Sequence, residues 1–278
     1  MKMKRDTVVI LGSGYLARFM PFFTNFYQKI LHTSRDPEHH LTWLPQTQRL
    51  RFDLTEAETW SNIPSDADLL WCFPASPLPA VQQFASYIKG ASRRLVVLGS
   101  TSAYDSGIAH DYPPPWIDET APLDLDKPRV KGEEFLRTQC GAIVLRVAGI
   151  YGPGRHPYQW IKSGRVGLSD KYVNLIHVED LAAICLAALE HGVSGAIYNV
   201  SDGMPRTWRE IGRGLDGGQF VEPQPAEQKQ ALGKRINTTK LRAMLQEARI
   251  SMRHPDLFRA LEDLQQASAG TQTERTDQ

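Results

Sequence analysis

The feature that most restricts the fold of this chain lies near its start. Thr7-Val8-Val9-Ile10-Leu11 runs straight into Gly12-Ser13-Gly14-Tyr15-Leu16-Ala17. The first five residues are largely apolar and β-branched, the composition of a buried strand. The strand stops at two glycines, which allow a turn too tight for ordinary residues. Gly12 predicts that turn, Gly14 a close backbone approach to a phosphate, and the small Ala17 close packing of helix on strand. A second strand-like run, Lys29-Ile30-Leu31-His32-Thr33, follows about one helix later. Strand, glycine turn, helix and strand within roughly 30 residues is the spacing of a βαβ unit that binds a dinucleotide. The helix is expected near 16–27, its N-terminal amides facing the phosphates. Pro21 lies within it and predicts a kink or an early end.

Strand and helix signals keep alternating. Strand-like runs recur at 69–73, 95–98, 143–147 and 196–200, and helix-compatible segments at 78–90, 128–139 and 179–191. Short apolar strands separated by helices predict an α/β fold with a doubly wound, Rossmann-like parallel sheet covered on both faces. The expected organisation is a dinucleotide-binding domain from 1–150 and 171–200. A small C-terminal substrate lobe is expected from 151–170 and 201–266, with helical pieces near 207–215, 238–247 and 256–266. A small, polar tail at 267–278 is expected to be disordered. The proline-rich stretch from Gly107 to Pro128 reads either as part of a pocket or as a surface connection.

Charge narrows the function classes. With 32 basic and 31 acidic residues in 278 the chain carries a formal +1, so neither nucleic acid nor a membrane surface is an expected partner. No apolar run approaches the ~20 residues of a membrane span, and the N-terminus leads directly into a strand, which predicts no signal peptide. Cys72, Cys140 and Cys185 are few, far apart and odd in number. They read as reduced thiols of a cytoplasmic protein, with no metal cluster. Cys72 could face a nucleotide, although a packed core thiol is the preferred reading.

Several ordered segments resemble the extended short-chain dehydrogenase/reductases, the NAD-dependent epimerase/dehydratase-like proteins. They are the turn at 12–17, Arg51-Phe52-Asp53-Leu54, Leu98-Gly99-Ser100-Thr101-Ser102-Ala103-Tyr104, and Leu145-Arg146-Val147-Ala148-Gly149-Ile150-Tyr151-Gly152-Pro153-Gly154-Arg155. Asn174 to Ala182 and Tyr198 to Asp202 complete the order. The resemblance covers roughly residues 7–260. It implies cofactor contacts from Gly12, Gly14, Tyr15 and Leu16, an adenine contact from Asp53, and a path to the nicotinamide lined by Phe73, Pro74 and Ala75. It places Ser100, with Thr101 beside it, at the active-site hydroxyl. It also implies structural roles for Tyr104, His177 and Asp180, and on its own supports a homodimer.

One residue departs from the pattern. The family pairs a tyrosine, the general acid/base, with a lysine four residues later that holds the ribose and lowers the tyrosine's pKa. Here Lys131 fills the lysine position, but Lys127 stands where the tyrosine belongs. Lysine cannot replace a phenol unchanged, because its acidic form is a cation. As a base it would need a strongly depressed pKa. Tyr104 or Tyr112 could supply an acid instead.

The residues after the second strand bear on the cofactor. Thr33-Ser34-Arg35-Asp36 places Arg35 at the strand end, where a guanidinium can grip the 2′-phosphate of NADP. Arg18 could assist, and Asp36 keeps the NAD alternative open. NADP is the favoured cofactor and NAD the lesser choice. The resulting reading is an NAD(P)-binding oxidoreductase or epimerase acting on a small polar metabolite. Its alternative is a non-catalytic NADP(H)-binding sensor or regulator, with enzyme favoured over sensor.

Overall fold

Val8 and Ile10 belong to one apolar layer of the protein, and Val9 and Leu11 to another. That alternation is the period of two of a strand buried on both faces. The same division holds for Leu70 against Leu69 and Trp71, and for Val96 against Leu95 and Val97. The computed structural model describes residues 5–89, 94–105, 111–215 and 232–276.

The central sheet has seven strands: β1 (Arg5–Leu11), β2 (Tyr27–Ser34), β3 (Arg49–Arg51), β4 (Asp68–Trp71), β5 (Leu95–Ser100), β6 (Ile143–Val147) and β7 (Ile197–Val200). Their spatial order is β7-β6-β5-β4-β1-β2-β3, and every pairing is parallel. The order reverses between β1 and β4. At such a switch point the connections leave in opposite directions and open a crevice at the carboxyl ends of the strands. This is the doubly wound α/β architecture that the alternating signals predict.

The helices are α1 (Pro37–His40), α2 (Leu78–Ile88), α3 (Pro128–Cys140), α4 (Pro157–Lys162), α5 (Val178–His191), α6 (Trp208–Leu215), α7 (Thr239–Ala248) and α8 (Leu257–Thr276). Helix α5 supplies a long apolar stripe to one layer, where Leu241, Met244 and Leu245 of α7 join it. Val81, Phe84 and Ile88 of α2 and Leu136 of α3 fill the other. Helix α3 lies very close to the turn after β4. A Cβ at Gly132 would stand 1.9 Å from the backbone oxygen of Ala75, so only glycine fits there.

The first crossover differs from the expected helix. Residues 16–27 hold two 3-10 segments, Leu16–Phe19 and Pro21–Asn25. Proline at 21 has no N–H for a bond to an earlier carbonyl, so a helix begun after the glycine turn cannot run through it. The aligned amides and dipole of an α-helix N-terminus are therefore missing from this turn.

Buried charge joins α3 to the sheet. Arg146 of β6 is fully buried and pairs with Glu133, itself 1% exposed, and with Glu134 at 3.0 Å. Gly99 of β5 leaves room for this pair, since a Cβ there would lie 2.8 Å from Glu133 Oε2.

A third apolar cluster gathers Tyr151, Ile161, Leu175, Trp208, Ile211 and Leu261. Its members come from between β6 and β7 and from after β7, most of them in the region read as the lobe and Leu175 outside it. Three short ladders accompany it: Trp116–Ile117 with Arg235–Ile236, Gly149–Tyr151 with Leu175–His177, and Tyr172–Val173 with Arg206–Thr207. Part of the proline-rich stretch is thus bound into structure, while residues 107–110 lie outside the described residues. Helix α8 runs on to Thr276 where disorder is expected. Alanine, glutamine and glutamate favour helix by propensity, and the last two residues lie outside the described residues. No helix among the described residues is long and apolar enough to cross a membrane.

Candidate dinucleotide-binding site

Gly12 follows β1 directly, with φ +83. A Cβ on it would come within 2.7 Å of Phe73 Cδ1, so both conformation and space require glycine. The turn is tied to the neighbouring strand. Gly12 N–H donates to Thr33 Oγ1 at 2.9 Å, Ser13 N–H to the Thr33 carbonyl at 3.0 Å, and Gly14 N–H to the Gly12 carbonyl at 2.9 Å. The three amides stabilise the turn from within. Gly14 itself faces open space, with nothing within 4 Å of where a Cβ would stand. It offers the unobstructed backbone that a pyrophosphate needs.

This turn forms one wall of a cleft of about 660 Å³. Arg35, Asp53 and Phe73 line it together with Gly12 and Gly14. Tyr15, Leu16 and Pro74 do not line it among the described residues. Leu16 is buried in the core. Tyr15 turns instead toward the 152–155 loop, donating to the Pro153 carbonyl at 2.9 Å and lying 4.1 Å beneath the Arg155 guanidinium. Arg18 is exposed and also outside the cleft lining.

The cleft's polar groups have separate tasks. Asp53 Oδ1 accepts from Thr55 N–H at 2.8 Å and from Thr55 Oγ1–H at 2.7 Å. The backbone bond, then the hydroxyl, holds its carboxyl below the usual range, so it is ionised. Asp36, the alternative ribose ligand, points elsewhere. It caps α1, accepts His39 N–H at 3.3 Å, and pairs with His39 Nδ1 at 2.8 Å. Cys72 packs against the core, as the preferred reading has it, and also lines the cleft. Burial pushes its thiol up to about 12, so it is no thiolate nucleophile.

At the carboxyl end of β5 the geometry is different. Ser100 Oγ accepts from Ser102 N–H at 3.2 Å and caps the short helix Thr101–Tyr104. Lys127 Nζ donates to the Ser102 carbonyl and to Asp105 Oδ2, both at 2.6 Å, with Asp124 at 3.3 Å. Lys234 reaches the same place, donating to the Thr101 carbonyl at 3.0 Å and to the other Asp105 oxygen. Burial opposes the Lys127 charge, but hydrogen bonds to Asp105 and Asp124 outweigh it and hold the amine above the usual lysine range. Lys127 is therefore a cation in a clasp, and the depressed pKa that a base would need is absent. Lys131, one turn along α3, is exposed, and its side chain forms no hydrogen bond or ion pair among the described residues.

No protein-family model matches the chain. Protein YeeZ of Escherichia coli K12 is 31% identical over 130 residues, 44% of this chain and 45% of YeeZ, so the match covers less than half the length of that curated relative. A short-chain dehydrogenase/reductase superfamily protein of Agrobacterium tumefaciens with bound NAD superposes over 98% of this chain and all of its own, at TM-score 0.72 and 14% identity. RMD of Pseudomonas aeruginosa, complexed with NADPH, superposes over 95% of this chain and 99% of its own, at TM-score 0.63 and 17% identity. The chain has the fold of the extended short-chain dehydrogenase/reductases.

Within that fold the remaining residues can be placed. Ser100 ends β5, Thr101 opens the short helix that follows, and Lys131 stands in the first turn of α3; none of the three lines the cleft. Tyr104 is buried and donates to Asn199 Oδ1 at 2.7 Å. Burial pushes its phenol well up, so its role is structural. Tyr112 is 55% exposed beside Tyr172. His177 Nδ1 accepts Glu179 N–H at the start of α5, and Asp180 accepts Arg253 and His254 N–H. His177, Glu179 and His254 group their ligand-type atoms within 4.8 Å. The two rings lie 3.7 Å apart, tilted by 36°, and His254 Nε2 is bonded to Glu179 at 3.0 Å.

Two contributors escaped the sequence. His40 lines the cleft but belongs to no motif. Lys234 meets Asp105 across 129 residues, and no local pattern signals such a contact.

Proposed function

We propose that this chain binds a nicotinamide dinucleotide in the cleft at the ends of β1, β2 and β4, NADP in preference to NAD. On this reading it is an oxidoreductase- or epimerase-like protein acting on a small polar metabolite, working without the family's tyrosine. The carrying observation is the placement after β2. Arg35 lines the cleft, whereas the Asp36 carboxylate is occupied by α1 and His39. A free carboxylate there would bond the ribose hydroxyls of NAD and repel a 2′-phosphate, while a guanidinium does the opposite. The open face of Gly14 and the cleft's volume suit the rest of the molecule. The nicotinamide, when bound, supplies hydride transfer.

A non-catalytic sensor is the second reading, favoured by Lys127. A clasped cation at the tyrosine position cannot relay a proton, whereas binding requires no relay. Titrating the purified protein with NADPH and NADH, followed by fluorescence, tests the first step. NADPH is expected to bind more tightly. Arg35→Ala is expected to weaken NADPH by on the order of 10–100-fold, the loss of charge-assisted bonds worth ~1.5–3 kcal/mol, and to leave NADH nearly unchanged. Sustained cofactor turnover with a small carbonyl substrate, lost in Lys131→Met, supports the enzyme. Tight binding with no turnover across such substrates supports the sensor.

A further inference from the structure

The floor of the cleft near β2 holds a group that the sequence motif does not include. His40, at the end of α1, lines the cleft beside Arg35. Its Nδ1 lies 2.8 Å from Ser34 Oγ, and Ser34 Oγ also accepts Asp36 N–H at 3.2 Å. With its oxygen engaged by that amide, the serine's own hydrogen is free to point at His40 Nδ1. The neutral ring then carries its proton on Nε2. His40 is thus a hydrogen-bond donor when neutral, and a cation with two donors when protonated. This part of the crevice, just past the second strand, is where an adenosine ribose and its 2′ substituent are read.

Resting on the NADP reading above, we infer that His40 is a second reader of the 2′-phosphate, acting with Arg35 and making NADP selectivity increase as pH falls. Two donors of different geometry would then face one phosphate: a guanidinium fork from the strand end and an imidazole from the following helix. The inference concerns specificity alone, because His40 lies on the adenosine side of the cleft and outside the β5 end.

The charges around His40 allow this. On α1 itself, Asp36 is paired with His39, and Glu38 is paired with Arg49 of β3 at 3.3 Å. From β2 come Ser34 and Arg35, and from β3 also Arg51, paired with Glu56 at 2.5 Å. Asp36 and Glu38 are each engaged, although the Asp36 charge also interacts with His40, and the Asp53 carboxylate of the same cleft is held by Thr55. A bound phosphate therefore favours the protonated ring, and by linkage the protonated ring favours the phosphate. The His39 ring titrates nearby too, its pKa raised by the hydrogen bond to Asp36, so the variants below are compared with the parent at each pH.

The test is a set of Kd measurements for NADPH and NADH on the full chain, His40→Gln and His40→Arg, at about pH 6 and about pH 8.5. His40→Gln is expected to weaken NADPH by about 5–10-fold at the lower pH and by about twofold or less at the higher, with NADH unchanged at both. His40→Arg is expected to keep NADPH tight and to remove the pH dependence attributable to this position, which separates a phosphate contact from a merely structural one. The unchanged NADH affinity reports that each variant is folded. If His40→Gln binds NADPH as the parent does at both pH values, His40 is no reader, although the NADP reading survives. If the parent itself shows no preference for NADPH, or binds neither nucleotide, both readings fail together.

Discussion

Gly12 carries two constraints at once, a left-handed φ of +83 and a Cβ position 2.7 Å from Phe73 Cδ1. Alanine at this position is strained in backbone and crowded in space. Gly12→Ala is expected to lower stability by ~1–3 kcal/mol and to weaken dinucleotide binding more than tenfold. Denaturant unfolding and nucleotide titration of one preparation check both, and unchanged affinity would show that the turn plays no part in binding. Glycine at 12 is legible in the sequence because its cause is local: a strand ends and the chain must turn. Arg35, Asp53 and Phe73 are legible for a similar reason, since each follows a strand of the sheet by one or two residues. His40 is not. Its place in the cleft depends on a four-residue helix that folds back onto the end of β2, and nothing in Pro37-Glu38-His39-His40 announces a ligand.

Two contacts fix helix α3 in place. Its Gly132 permits contact with the Ala75 carbonyl, and Glu133 meets Arg146 inside the protein. Just before its first turn, Lys127 is held in a clasp with Asp105. The buried pair binds helix to sheet, and breaking one side leaves an uncompensated charge. Arg146→Met is expected to cost ~3–5 kcal/mol, and the double variant Arg146→Met with Glu133→Leu to recover much of that loss. Urea unfolding of the three variants measures the coupling. Simple additivity of the two changes would mean that the pair does not act as a unit. The first crossover is the converse case, in which Pro21 breaks the expected helix into two short 3-10 segments while the βαβ spacing survives.

At the scale of the whole molecule, two histidines are kept neutral by the fold. Burial lowers His32 to about 4, and burial followed by the nearby His254 lowers His177 to about 4. In the unfolded chain each takes up its proton near 6.5. Between these values the unfolded state binds more protons, so their contribution is intact above about pH 6.5 and declines as pH falls toward 4. Each histidine accounts for as much as about 3 kcal/mol of that decline. Stability measured from about pH 7 to about pH 4 is therefore expected to fall, and to fall less steeply in His32→Gln. Parallel curves for parent and variant would remove His32 from this account.

What the sequence by itself determined was the alternation of strands and helices, the parallel sheet and the glycine turn. These follow from hydrophobic period, glycine placement and strand ends, all of which act over a few neighbouring residues. Tertiary structure decided which charged groups the site could use. Asp36 was turned into a helix cap, Lys127 was locked by Asp105, Arg35 was left on the cleft wall, and His40 was brought beside it. A charge's role depends on what lies within a few ångströms, and those neighbours come from segments far apart in the chain. Lys127 shows this most clearly, because the acid that holds it and the second lysine in its clasp come from other parts of the fold.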